Sequence, residues 1–406
     1  MKRLFQNIGT LAGIVPAGIL RKEGAAMDEV GTLSDAWLLV EAGRISAFGD
    51  ASVPAPERID ETVDCQGGML MPAFCDSHTH IVYAGSREGE FLDKINGLSY
   101  EQIAARGGGI LNSADLLHRT SEEELFRQSM ERVREMTAQG TGAIEIKSGY
   151  GLNPVDEMKM LRVIDRIKSS TPALVKATFL GAHAVGRGYT HDDYVAAVCR
   201  MMPDAARYAD FVDIFCEEGF FTVDDASRVL EAGLRAGLRP KIHANQLAVS
   251  GGVQVGVKYG ALSVDHLEHS GAAEIEALRG SGTMPTFLPG SAFFLRIPDG
   301  PAREYIAAGL GVALASDFNP GSSPAGDMRW IWALGCIRMR LTPAQAFNAV
   351  TLNSAFAMGV SKEAGSITVG KRANLVLTEP GWSIVKIPYL HQTPYIRKVY
   401  LNGKDI

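Results

Sequence analysis

A chain of 406 residues is longer than an ordinary domain, yet α/β barrels reach this size as single units. Apolar residues at 46% and charged residues at 21% describe a soluble globular protein with a large core. The net charge of −6 gives no reason to expect nucleic acid or an anionic membrane as partner, and no apolar stretch is long enough to span a bilayer.

The opening Met1-Lys-Arg-Leu-Phe-Gln6 continues into polar and glycine-containing sequence, without the apolar core and cleavage site of a signal peptide. Residues 1–66 read as strands and turns, with Ala36–Phe48 forming two short strands around a glycine turn. Cys65, Cys75, Cys199, Cys216 and Cys336 are scattered and form no Cys-x-x-Cys pair, so they read as reduced thiols in a cytoplasmic protein.

Residues 67–358 alternate strand with helix, which favours a parallel sheet with right-handed crossovers. The first strand is the apolar run from Leu70 to His78. Seven more candidates are Ala143–Lys147, Val175–Leu180, Phe211–Phe215, Pro240–Ala244, Leu262–His266, Met284–Leu288 and Val312–Ser316. Amphipathic segments such as Glu122–Thr137 and Pro154–Lys168 lie between them. Eight such units predict an α/β fold built on a (β/α)8 TIM-like barrel. An open doubly wound sheet would explain the alternation equally well, but not the polar residues that recur at the strand ends. Arg106-Gly-Gly-Gly-Ile-Leu111 lacks a preceding strand and a Lys-Ser/Thr, and reads as a mobile active-site loop. Residues 359–406 are again rich in strands, so both termini together are expected to form a small β-sandwich.

Six of the nine histidines fall at or near the predicted strand ends. His78 and His80 share one strand face and can grip a single ion, whereas Cys75 points to the other face and is a packing residue. His118, His191 and His391 lie outside this set and read as surface residues. A metal held by His78, His80, His243 and Asp317 has a nitrogen and carboxylate ligand set that suits Zn²⁺, with Fe as an alternative. Such a metal lowers the pKa of bound water to about 7. His266 is placed to move protons to and from that water or a leaving nitrogen, and Asp317 can share the task. Lys147 lies on the second strand rather than the fourth, which argues against a binuclear site bridged by a carboxylated lysine.

His78-Thr-His80 after Met-Pro-Ala-Phe-Cys-Asp, the histidines of strands five and six, Ala315-Ser-Asp317 and the closing Gly365–Leu375 resemble the amidohydrolase superfamily. Within it the chain is similar to the imidazolonepropionase family. The motifs that carry this run in order along the chain: Ala84–Phe91, Gly107–Leu111, Glu145–Leu152, Phe179–Val185, Asp213–Glu217, Lys241–Gln246 and Asp317–Pro324. The resemblance implies hydrolytic opening of 4-imidazolone-5-propanoate to N-formimidoyl-L-glutamate in histidine degradation. It places Arg87, Tyr100, Tyr150, Asn319, Gly321 and Ser322 around the substrate, and His183 on the ring carbonyl. A homodimer is implied as well. Gln246 stands where some relatives carry Glu; an amide can orient the ring nitrogens without taking a proton, which leaves the base role to His266 and Asp317. Two other readings share the ligand set: a mononuclear-metal deaminase of a cyclic base, and a non-catalytic binding protein on the same fold.

Overall fold

The computed structural model describes residues 1–98 and 108–406. Eight parallel strands follow one another in order: Phe74–Thr79, Thr141–Lys147, Leu174–Ala182, Phe211–Cys216, Ile242–Ala244, Ser263–His266, Met284–Phe287 and Ala313–Leu314. The ring closes just beyond the eighth, where Thr79 bridges Phe318 and the His80 N–H donates to Phe318 O at 2.9 Å. This is a TIM-like barrel, not an open sheet.

Helices fill the crossovers where the sequence carries both an amphipathic stripe and a start signal. Asn153 caps Pro154–Ser170 by accepting from the Asp156 N–H at 2.9 Å, and Pro154 occupies the first turn, where its missing N–H costs nothing. Ser121 plays the same part for Glu122–Ala138. Outward-facing strand residues such as Ile144, Ile146, Val175, Phe179, Val212 and Val264 are fully or almost fully buried in one apolar cluster with these helices.

The second sheet has eight strands drawn from both ends of the chain. Lys2–Ile14 lies between Gly31–Glu41 and Gly68–Pro72, and Gly68–Pro72 pairs on its far side with Leu375–Pro380. Its interior gathers Phe5, Leu11, Leu38, Leu70, Leu375 and Tyr400, with the Phe5 and Tyr400 rings edge-to-face at 4.8 Å.

The apolar run expected as one strand is therefore two. The chain leaves the terminal sheet at Ala73, whose N–H donates to Asn374 O, and enters the barrel at Phe74, whose N–H donates to Gly140 O. Continuous burial hides that junction from a reading based on hydrophobicity. The fifth strand is likewise split, with Arg239–Pro240 pairing the fourth strand before Ile242–Ala244 begins. The glycine-rich segment is also more ordered than expected at its end. Gly109 takes φ 84, its N–H donates to Glu90, and Ile110 and Leu111 open the helix Ile110–Arg119. Arg106, Gly107 and Tyr100 lie outside the described residues.

Candidate active site

Side chains alternate along a barrel strand, so residues two apart both enter the interior. Glu145 and Lys147, Lys241 and His243, and His78 and His80 enter in this way. Glu145, Lys147 and Lys241 build a buried ionic layer with Asp213 and Asp265. Lys147 Nζ lies 2.6 Å from Glu145, 2.9 Å from Asp213 and 3.6 Å from Asp265. Lys241 Nζ contacts Glu145, lies 3.7 Å from Asp265, and donates to Ser77 O at 2.9 Å. Burial opposes charge on Lys147, but Asp213 and Glu145 outweigh it and raise its pKa. Its amine is thus committed to ion pairs, in keeping with a mononuclear rather than a lysine-bridged centre.

The histidines stand on this layer. His78 Nδ1 meets Asp265 at 2.7 Å, and His243 Nδ1 meets Asp213 at 3.1 Å. Each carboxylate accepts a hydrogen bond from Nδ1–H, so each imidazole turns an unprotonated Nε2 to the centre. His78 Nε2 lies 3.2 Å from His80 Nε2, and Asp317 Oδ1 lies 3.5 and 3.4 Å from the two. His243 Nε2 is buried with no hydrogen-bond partner among the described residues. Two groupings bring their donor atoms within 4.8 Å of one another: His78, His80 and His243, and His78, His266 and Asp317. Burial lowers the pKa of His78 and of His243, keeping both neutral as a cation requires. Nitrogen donors facing one another, one without a partner, fit a divalent metal. Asp213→Ala is expected to weaken metal affinity by about 10- to 100-fold, read by competition with a chelator.

His266 and Asp317 reach the centre through backbone strain. Strict alternation would turn Asp265 and His266 to opposite faces, but His266 takes φ 91 and Leu267 φ 68, and both acid and imidazole face inward. Asp317 takes φ 53. His266 Nδ1 meets Glu268 at 3.2 Å. Burial works against its charge, yet Glu268 raises its pKa to about 9. Asp317 is also penalised by burial, but His80, 3.4 Å away, and the charge of His266 hold it at about 2.

Above the centre lies a cavity of about 630 Å³, within the range of small-molecule sites. His80, His183, His243, His266 and Asp317 line it, together with Arg87, Tyr150, Gln246, Asn319, Gly321 and Ser322. His78 lies wholly buried beneath. The pair Arg87–Glu90 forms as well, with Glu90 accepting from Nε at 2.9 Å and Nη2 at 2.5 Å. Asn319 also folds its own turn, since its Oδ1 accepts from Gly321 N and Ser322 N at 2.8 Å. Gly149 takes φ 113, and a Cβ there would stand 2.9 Å from His183 Nδ1, so only glycine allows this approach.

A family model described as amidohydrolase matches residues 119–405. A protein named imidazolonepropionase from Flavobacterium johnsoniae is 48% identical over the whole of both chains, and another of that name from Christiangramia forsetii is 49% identical over the same span. The chain belongs to the imidazolonepropionase family of amidohydrolases. A further protein of that name, from Geobacillus kaustophilus, is 37% identical over 100% of this chain and 97% of the relative. Among solved structures, a zinc-bound adenosine deaminase from Xanthomonas campestris shares only 17% identity, with TM-score 0.72 over 99% of this chain and 92% of that one. A guanine deaminase from C. acetobutylicum stands at 14% and 0.72, covering all of both chains. These two share the fold, while the close relatives bear the other name.

His183 Nδ1 lies 3.0 Å from Gly149 O, which can only accept, so Nδ1 carries the proton. Burial lowers the pKa of His183 well below the usual value, leaving a neutral ring whose Nε2 is an acceptor. That atom is an acceptor at the cavity wall, suited to an N–H donor. The sequence reading also passed over Asp213, Asp265, Lys241 and Glu268. A signal for Asp213 and Lys241 existed, since each is a charged residue between apolar neighbours in an expected strand.

Proposed function

We propose that this protein hydrolyses the ring C–N bond of 4-imidazolone-5-propanoate to give N-formimidoyl-L-glutamate, as its family relationship indicates. The observation that carries this reading is that Arg87 opens into the same cavity as the histidine cluster. An acid-bearing cyclic amide needs such a cation, and a neutral base does not, which disfavours the deaminase alternative.

A Zn²⁺ or iron ion held by His78, His80, His243 and Asp317 would polarise the ring carbonyl and acidify a bound water. Asp317, kept ionised, accepts the proton that the attacking water gives up, while His266, held protonated by Glu268, serves as the acid. Glu268 holds the Nδ1 side of His266, so Nε2 is the atom that delivers a proton to the ring nitrogen as the C–N bond breaks. The water oxygen ends on the former carbonyl carbon, which becomes a carboxylate. His183 Nε2 accepts from a ring N–H, Gln246 orients the ring, and Tyr150 packs beside His183, its ring 5.5 Å away. Arg87 binds the propanoate, so contacts remote from the reacting carbon fix its approach. Tyr100, Asn319, Gly321 and Ser322 complete the substrate set of this reading.

All five cysteines are free thiols, which supports a reducing compartment and hence the cytoplasm. No described helix is long and apolar enough to cross a membrane. A homodimer is the assembly we assign.

The test is ring opening by the purified, metal-analysed protein, followed through loss of imidazolone absorbance with formimidoyl-glutamate identified as product. Turnover should stop on chelation and return with one equivalent of metal. A metal-loaded protein without turnover would remove this substrate. Arg87→Ala is expected to raise KM for the imidazolone at least tenfold, from the loss of a charged hydrogen bond worth about 1.5–3 kcal/mol. An unchanged KM would contradict the carboxylate role.

A further inference from the structure

The helix Glu88–Ile95 begins directly after Arg87. Residues spaced by three and four share one helix face, and Arg87, Phe91, Lys94 and Ile95 all line the cavity. Arg87 enters that wall already engaged. Its Nε and Nη2 both go to one oxygen of Glu90, whose other oxygen accepts from Gly109 N at 2.9 Å. The edge of the guanidinium best shaped for a side-on carboxylate is therefore taken, and the pair is neutral as a unit. What remains is Nη1, directed at Gly321: a Cβ added there would stand 2.3 Å from it.

Lys94 reaches the same place. Its Nζ donates to Gly321 O at 3.1 Å and lies 5.7 Å from the centre of the Phe294 ring. An ammonium has three N–H donors, so one bond to a carbonyl leaves two. Two cations thus converge on one glycine at the cavity wall, one of them cancelled by Glu90. The local sum of Arg87, Glu90 and Lys94 is one positive charge, which matches one carboxylate. Lys94 is half-buried, its pKa lowered by burial and by Arg87, as fits a cation that a bound anion would complete.

Building on the substrate class proposed above, we propose that Lys94 is a second substrate-binding cation, supplying the net charge that the Arg87–Glu90 pair lacks and setting the preference for an acidic side chain. Lys94 and Arg87 Nη1 hold the carboxylate between them at Gly321. Removal of Lys94 should weaken acid binding and leave the ring chemistry intact.

The probes are imidazole-4-propanoate, which has no carbonyl to hydrolyse, and its neutral primary amide, both measured as competitive inhibitors of the metal-loaded enzyme. Wild type should prefer the acid. Lys94→Met should lose about tenfold or more of that preference, through weaker acid binding with amide binding unchanged, and KM should rise while kcat stays within about twofold. Lys94→Arg should restore most of the preference. If Lys94→Met weakens acid and amide equally, the residue merely supports the wall and the proposal falls; an unaltered ratio overturns it too. A wild type that turns over no imidazolone and shows no acid preference removes the substrate reading first, and Lys94 with it.

Discussion

His266→Ala is expected to lower kcat by about two to four orders of magnitude, the usual worth of a positioned proton-transfer group. The effect is large because no described neighbour can replace it. Asp317 is held at about 2 and is a poor acid, and Gln246 carries no titratable proton. The metal content of the variant, measured by elemental analysis, should equal that of wild type, because His78, His80, His243 and Asp317 remain. Loss of metal together with activity would give the opposite answer. His266 lies within ligand distance of His78 and Asp317, and such a result would make it a ligand rather than a proton carrier.

Lys147→Met should destabilise the fold by about 3–5 kcal/mol, read as a shift in denaturant midpoint at fixed metal content. The residue is completely buried and meets three carboxylates. Without it, Glu145, Asp213 and Asp265 face Lys241 alone, and two excess negative charges remain inside the barrel. Thr178 Oγ1 and Glu145 also share a hydrogen bond, so the disturbance spreads to the third strand. The double variant Lys147→Met/Glu145→Gln should lose less than the sum of its single variants, because the second change removes a charge that the first left unpaired. Strict additivity would mean that the two side chains do not act as one network.

Much of the architecture was legible because the signals are strong and local. Eight apolar runs separated by capped amphipathic helices leave few alternatives, and two histidines on one strand face mark a metal end without any structure. Arg87 was harder to place. Its side chain both pairs with Glu90 and lines the cavity, and the motif that places it at the substrate does not show the pairing. His266 and Asp317 could be nominated from sequence, but the left-handed backbone that turns them inward belongs to tertiary packing and leaves no trace in composition. The tautomer of His183 was out of reach for a related reason, since it follows from Gly149 O, an atom every residue possesses. Asp213 and Asp265, which hold His243 and His78, are harder to read because each is marked only by a contact with a histidine on another strand, which spacing along the chain does not show.

The place of Gly68–Pro72 has a consequence for synthesis. Leu375 pairs with Pro72, Val376 with Met71 and Leu377 with Leu70, so the strand that feeds the histidine-bearing barrel strand is completed by residues some 300 positions later. At about 5–20 residues per second, a ribosome would need roughly 15–60 s to deliver that partner. Through that interval an apolar edge stands open on the nascent chain, next to the segment that carries both histidines, and edges of this kind recruit other chains. Contacts so distant in sequence also slow folding itself. Chains interrupted before residue 375 should therefore be aggregation-prone, and the metal centre should be among the last parts of the molecule to become rigid.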